Sequence, residues 1–392
     1  MLLFEKGECT AMKLLKLKVP RGYKMLCKDF EINFLTKTRV SKSANNDDLI
    51  ELENDFYYPK ETAFIGKNSS GKSTTLELIH ICLYLLQFGR IPAAFFDEED
   101  KFSLEAIFYE NGKLYKYYGD FSCNKLIAGE YLVINDEELG RGEYNSNTKK
   151  DLSNVNYSKV TDFVAKASSD TSSISKYYNG VLAHLVVNFF EDGVDMLMPF
   201  YTIIENNYGP GSFMKLVHLF DDSVEKLIPN VDANGKHDGF VFKRVNSKEK
   251  IVSDGYLLKN LSSGTIRGIN LYGAAIVSFV HGSHLLVDEL EKNFNKNLIG
   301  NLIQMINDPT LNRNNASLIY TTHYSELLDE TKRCDNVNVL HREQDVITLK
   351  NMCLDYTQRT DMLKSSSFDQ NAFDTTLNYN RLMDLKRALR KL

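Results

Sequence analysis

"IGKNSSGKST", Ile65 to Thr74, is the stretch on which the reading of this chain turns. An apolar run, "TAFI", stops at Gly66, and a helical pattern resumes at Ser73 with "STTLELIHICLYLLQF". Between them, "GKNSSGKS" matches G-x-x-x-x-G-K-[ST] at every defined position. Glycines permit backbone angles that turn successive amide N–H groups toward an anion. The helix that begins here adds the positive end of its dipole. In a phosphate loop of this kind, Gly66, Lys67, Asn68, Ser69, Ser70, Gly71, Lys72, Ser73 and Thr74 form the cradle. Lys72 would bridge the β- and γ-phosphates of a nucleotide, and Ser73 would offer its hydroxyl to Mg²⁺. The plainer reading is a glycine-rich turn into a helix. A turn needs no companions, whereas a site that hydrolyses its ligand needs several.

Companions follow in chain order. "NLSSGTIRG" (260–268) can open a helix at Ser262, Ser263 and Gly264 whose free N–H groups point at an anion. "HLLVDELEKNFN" (284–295) is an apolar strand ending in an acidic pair. Asp288 at its tip would reach Mg²⁺, and Glu289 would polarise an attacking water. "IYTTHYSELLD" (319–329) places His323 at the end of a further strand. Of the eight histidines only His323 has this setting. His80, His184, His218, His237, His281, His284 and His341 read as core or surface residues, since no metal-ligand spacing links them.

"GKNSSGKST", "LSSGT", "LLVDELE" and "TTHYSELLD" resemble, in this order, the phosphate loop, signature, acidic-strand and switch-histidine motifs of ABC-type ATPases. The resemblance is to the soluble branch with SMC and RecF proteins, and especially to stand-alone ATPases of the OLD (overcoming lysogenization defect) and abortive-infection kind. "DELEKNF" is similar to that branch's D-E-x-E-x-x-L pattern, and "TTHYSELLD" to its T-T-H-S-x-x-L-L pattern.

The resemblance implies an α/β fold, an ABC-type P-loop ATPase head with a mixed sheet and an antiparallel β subdomain, and the polar, aperiodic composition from residue 141 adds the expectation of an inserted, mainly helical lobe. It implies ATP and Mg²⁺ as cofactors, with Ser73 and Asp288 as metal ligands and Glu289, Lys72 and His323 as the catalytic set. It also implies a homodimer or higher homo-oligomer with ATP at the interface. Ser262, Ser263 and Gly264 of one copy would then face Lys72 and Ser73 of another, and His323 would hold the water and Glu289 in line. There are departures: Thr265 stands where the family usually has Gln or Glu, and Asn295 where it commonly has His. Gln87 is a poor Q-loop candidate, and the adenine-stacking residue is unassigned. Hydrolysis is therefore expected to be competent but slow.

The remaining features bound the class. The 392-residue chain is 43% hydrophobic and 25% charged, the balance of a globular protein. A net charge of −5 argues against a polycation that coats nucleic acid, though a local basic face leaves nucleic acid open as a partner. Six scattered cysteines without a CxxC pair read as reduced cytosolic thiols. "MLLFEKGECT" has too short an apolar run for a signal peptide, and "LIHICLYLL" (78–86) falls short of a membrane span. A soluble, cytoplasmic protein without membrane contact is expected.

Along the chain, residues 1–140 read as the first half of the ATPase core, 141–255 as the inserted lobe, 256–350 as the second half and 351–392 as a tail. Strands are expected over 12–19 and 29–35, and hairpins over 103–121 around Asn111-Gly112 and over 239–253. "VTDFVAKA" is the expected entry to the helical lobe. "SFMKLVHLFDDSVEKLI" (212–228) fits a helical period through Phe213, Leu216, Val217, Phe220, Val224 and Leu227. "LNYNRLMDLKRALRKL" (377–392) is a basic amphipathic helix, packed on its own domain or on a partner.

The leading functional expectation is the ATPase sensor or regulatory subunit of a prokaryotic anti-phage, abortive-infection-like system, with a separately encoded nuclease or toxin as effector. The alternative is a RecF- or SMC-like DNA repair or DNA-binding ATPase, and a transporter subunit ranks last because Lys72 and Ser262 lie so far apart. Full-length OLD proteins carry a nuclease after the ATPase, and the stretch beyond His323 is expected to be too short for one.

Overall fold

The computed structural model describes residues 12–41, 45–53, 55–123, 130–144, 152–177, 184–187, 193–232, 236–292, 294, 296–356, 363–369, 373, 383 and 386–389. The chain opens with β1 (Lys13–Val19) and β2 (Phe30–Asn33), then a ribbon of β3 (Leu49–Glu53) and β4 (Phe56–Pro59). Next comes β5 (Glu61–Ile65), buried at all five positions, as befits a parallel strand covered on both faces. It feeds the loop that leads into α1 (Lys72–Phe88). β6 (Lys101–Glu110) and β7 (Lys113–Ser122) form a hairpin whose turn residues, Asn111 at φ 49° and Gly112 at φ 75°, take the left-handed angles a tight hairpin demands. β8 (Val133–Gly142) and β9 (Ser158–Lys159) complete an antiparallel six-stranded sheet of order β2-β1-β6-β7-β8-β9.

β10 (His184–Val187), α2 (Leu197–Tyr208) and α3 (Ser212–Phe220) follow, then β11 (Val224–Val231), β12 (His237–Arg244) and β13 (Lys250–Val252), which make a three-stranded sheet of their own. The chain continues through α4 (Asp254–Asn260), α5 (Ser263–His281), β14 (His284–Val287), α6 (Lys296–Asn307) and β15 (Ser317–Thr322). β16 (Val337–Glu343), β17 (Val346–Asn351) and α7 (Lys364–Asp369) come last.

The second six-stranded sheet has the order β10-β14-β15-β5-β16-β17, parallel except for β17. Its register positions the site. β15 lies between β5 and β14, with Thr322 opposite Ile65 and Tyr320 opposite Val287. The chain therefore leaves three adjacent strands at one edge, into Gly66, His323 and Asp288. Ligands of parallel α/β sheets bind outside such carboxyl ends.

Side chains alternate across this sheet. Phe64 and Ile319 join a core shared with the antiparallel sheet and α1, while Ala63, Ile65, Leu318 and Tyr320 join a second core with α2, α3, α5 and α6. His80 of α1 and His184 of β10 meet ring to ring, Nδ1 to Nε2 at 2.7 Å, in the packing between helix and sheet. Lys13 of β1 is buried and donates to the Gly282 carbonyl at 2.9 Å, tying the antiparallel sheet to the end of α5. Burial lowers its pKa to about 7.

Three expectations are corrected. The segment 212–228 is not one helix: α3 stops at Phe220 and β11 starts at Val224. Asp221 breaks it, accepting from the amide and hydroxyl of Ser223 at 3.1 and 2.6 Å while Arg244 pairs with its other oxygen. A bulge between Val224 and Lys226 puts Val224 and Leu227 on the same buried face, so a strand imitated the helical period. Among its described residues, segment 141–255 is not mainly helical either. Its described residues hold α2 and α3 beside the three-stranded sheet, and β9 and β10 belong to the two large sheets. "VTDFVAKA" forms turns, with Val160 bonded to the Leu139 carbonyl at 2.9 Å. The basic tail helix lies largely outside the described residues. Among the described residues no helix is long and apolar enough to cross a membrane.

Candidate functional site

The loop after β5 is pressed against the β16–β17 hairpin. A Cβ on Gly66 would stand 2.6 Å from the Leu340 carbonyl oxygen and 2.5 Å from Ser70 Oγ. One on Gly71, at φ +94°, would stand 2.5 Å from Ile347 Cδ1. Both positions therefore need glycine, the second for its backbone as well. Ser69 takes φ 62°, Ser70 N donates to the Lys67 carbonyl at 3.1 Å, and Thr75 N donates to the Gly71 carbonyl at 2.8 Å. The Lys72 ammonium sits inside this curl, donating to the carbonyls of Gly66 and Lys67, each at 2.9 Å. Burial lowers its pKa to about 8, opposed by the carboxylates of Glu291, Asp288 and Glu289. Ser70 Oγ is buried with no protein partner.

The acidic turn after β14 closes the other side. Asp288 accepts from Ser73 Oγ at 2.7 Å and from Thr321 Oγ1 at 2.5 Å. Thr321 Oγ1 in turn accepts from the Glu289 amide at 2.7 Å. Glu289 takes φ 50°, a left-handed angle that few non-glycine residues adopt, in a turn closed by Lys292 N on its carbonyl at 2.8 Å. Its carboxylate stands 3.6 Å from His323 Nε2 and 3.6 Å from Lys292 Nζ. Glu291, buried, accepts from the His323 amide at 2.7 Å.

Between loop and turn lies a cleft of about 800 Å³. Asn68, Ser69, Gly71, Lys72, Ser73, Thr74, Glu289 and His323 line it. Gly66, Lys67 and Ser70 shape it from behind, and Asp288 joins it through Ser73. Ser262, Ser263 and Gly264 are not part of the lining. They open α5, where Ser262 Oγ caps the helix by accepting from Thr265 N at 2.9 Å. Thr265 is buried and shares its hydroxyl with Ser262 Oγ at 2.8 Å.

Thr321 and Glu291 fall on defined positions of the quoted patterns but received no role from the sequence, and the outer lining of Met25, Lys292, Tyr324 and Arg342 was missed. Thr321 carried a signal, being a hydroxyl residue two positions before His323 at the carboxyl end of its strand. Arg342 carried none, since its place depends on β16 lying beside β5, and it reaches the Ser69 carbonyl only at 3.5 Å.

The residues present fit a triphosphate with Mg²⁺. The loop is a cradle that a side chain at residue 66 or 71 would fill, and it holds a buried hydroxyl without a partner. Among the described residues no group of three or more His, Cys, Asp or Glu could hold a metal unaided. Ser73 and Asp288 supply two oxygens, which suits Mg²⁺, an ion that keeps several waters and takes other ligands from substrate phosphates.

No curated protein matches the chain. Residues 62–329 match the family model described as "AAA domain, putative AbiEii toxin, Type IV TA system". That match covers more than half of the 392 residues, from β5 through the helical turn after His323. The chain belongs to this AAA-domain family of P-loop ATPases.

Proposed function

We propose that the chain binds ATP with Mg²⁺ and hydrolyses it. The observation that carries this reading is the convergence of Lys72, Ser73, Asp288, Glu289 and His323 on one cleft from three separate strand ends. On binding, Lys72 exchanges the Gly66 and Lys67 carbonyls for phosphate oxygens, and the loop amides take the remainder. Ser73 and Asp288 hold the cation, which when bound screens the phosphate charge. Glu289 accepts a proton from the attacking water, and His323 beside it holds that carboxylate toward the phosphate. The test is phosphate release by the purified chain with and without Mg²⁺. No release above a Lys72→Ala control would end the reading.

The active form in this proposal is a dimer or higher homo-oligomer closed around the nucleotide. Gly264 supports it. A Cβ there would meet nothing nearer than Ser262 Oγ at 3.7 Å, so the single chain does not require a glycine. A second copy approaching a phosphate at this point would.

The biological role proposed is that of sensor or regulatory subunit in an anti-phage, abortive-infection-like system with a separate effector. The support for this role is the resemblance of the four motifs to OLD-type and abortive-infection ATPases. Co-purification of the chain with the product of an adjacent nuclease or toxin gene tests it. ATPase stimulation by DNA ends without any such partner would favour a repair role instead.

A further inference from the structure

Glu291 has no part in the roles above, yet it is a buried acid of the same cleft, 9% exposed. Its Oε1 accepts from the His323 amide at 2.7 Å, and its Oε2 has no protein partner. His323 stands one residue past the end of β15, where strand pairing no longer supplies an acceptor for its N–H. A backbone donor without a partner is costly away from water, and a carboxylate makes the stronger acceptor. The carboxylates of the acidic turn thus grip the end of β15 at two points, Asp288 on the Thr321 hydroxyl and Glu291 on the His323 amide, beside the backbone bond from Leu290 N to the Thr321 carbonyl. The second grip lies directly on the residue whose ring stands 3.6 Å from Glu289.

We infer that Glu291 is a positioning residue, a carboxylate clamp on the His323 backbone that holds the imidazole against Glu289. The inference rests on the nucleotide reading for its catalytic consequence, but the clamp itself exists without ligand. Because an amide carbonyl can accept the same hydrogen bond, the clamp requires an acceptor and not a charge. The competing role is electrostatic, since Glu291 is also the foremost carboxylate acting on Lys72. A charge role would not survive replacement by glutamine.

Glu291→Gln keeps the acceptor, and Glu291→Met keeps the volume and removes it. Amide hydrogen exchange at His323, measured without nucleotide, should be slow in the parent and in Glu291→Gln and roughly tenfold faster in Glu291→Met. Turnover of Mg-ATP should fall about 10- to 100-fold in Glu291→Met, with KM little changed, and stay within about threefold in Glu291→Gln. In a His323→Ala background, Glu291→Met should cost nothing further. Unchanged exchange in Glu291→Met, a glutamine variant as impaired as the methionine one, or additive losses in the double variant would each overturn the clamp. A parent protein without turnover would count against the nucleotide reading instead, and the exchange measurement would still decide the clamp.

Discussion

Ser73 Oγ donates to Asp288 Oδ2 across 2.7 Å, joining residues that stand 215 positions apart in the chain. The contact follows from the order of the central sheet, in which β15 separates β5 from β14 and leaves their carboxyl ends two strands apart. Two oxygen donors held together near a phosphate cradle are what a hydrated Mg²⁺ requires of a protein. Ser73→Ala should therefore lower ATP affinity about 10- to 100-fold in Mg²⁺ and leave affinity in EDTA nearly unchanged. Titration calorimetry under both conditions decides it. An equal loss in both would mean that Ser73 serves the phosphates and not the cation.

Glu289 separates binding from chemistry. Its carboxylate stands 3.6 Å from His323 at the cleft, and in the proposed reaction it takes the proton and does not hold the nucleotide. Glu289→Gln should bind Mg-ATP like the parent while turnover falls by about 10²- to 10⁴-fold. Light scattering after gel filtration with ATP should show a longer-lived assembly. A glutamine variant that hydrolyses ATP at the parent rate would place the base elsewhere.

Gly71 tests the cradle from behind. Its φ of +94° costs a residue with a side chain about 1–2 kcal/mol, before the added Cβ meets Ile347 Cδ1 at 2.5 Å. Gly71→Ala should lower the denaturation midpoint and weaken ATP binding together. Adding Ile347→Ala should restore only the share due to the contact. Full recovery in the double variant would show that the backbone angle carries no strain.

Much of this site is legible in the sequence because each strand hands its functional residue to the loop immediately after it. Gly66 and Asp288 directly follow short apolar runs and His323 follows one after two threonines, so local pattern and placement coincide. Thr321 was less legible. Its role is set by β15 lying against β14, a pairing of residues more than thirty positions apart that no local period records. The 212–228 stretch misled for a related reason. A bulge shifted a strand's alternation by one residue, and helical spacing then described the buried face equally well. β10 could not be read at all, since four residues earn their strand state only by pairing with β14.

Glu61 predicts a pH dependence of stability. The carboxyl is buried in β5, no hydrogen bond of ordinary geometry reaches either oxygen, and desolvation pushes its pKa up from 4.5 to about 8. Between those values the folded chain keeps a proton that the unfolded chain releases, so stability falls as pH rises, by up to about 1.4 kcal/mol per unit. Glu61→Gln has no proton to lose. Urea midpoints from pH 5 to pH 7 should decline less steeply in the variant than in the parent. Parallel slopes would mean that the carboxyl is hydrated or ionised in the folded state.

Gly264 gives the assembly its sharpest test, because the monomer tolerates a side chain there and the proposed dimer does not. A Cβ at residue 264 meets only Ser262 Oγ at 3.7 Å, an ordinary contact, and the residue sits in the first turn of α5 rather than in its buried middle. Gly264→Arg should fold with the parent's melting temperature and bind ATP with the parent's affinity as a monomer. In the Glu289→Gln background, however, it should remove the ATP-dependent increase in mass. Turnover should fall with it, since each site would lack the contribution of its neighbour. If Gly264→Arg assembles with ATP as the parent does, the start of α5 is not at the interface and the glycine has another cause.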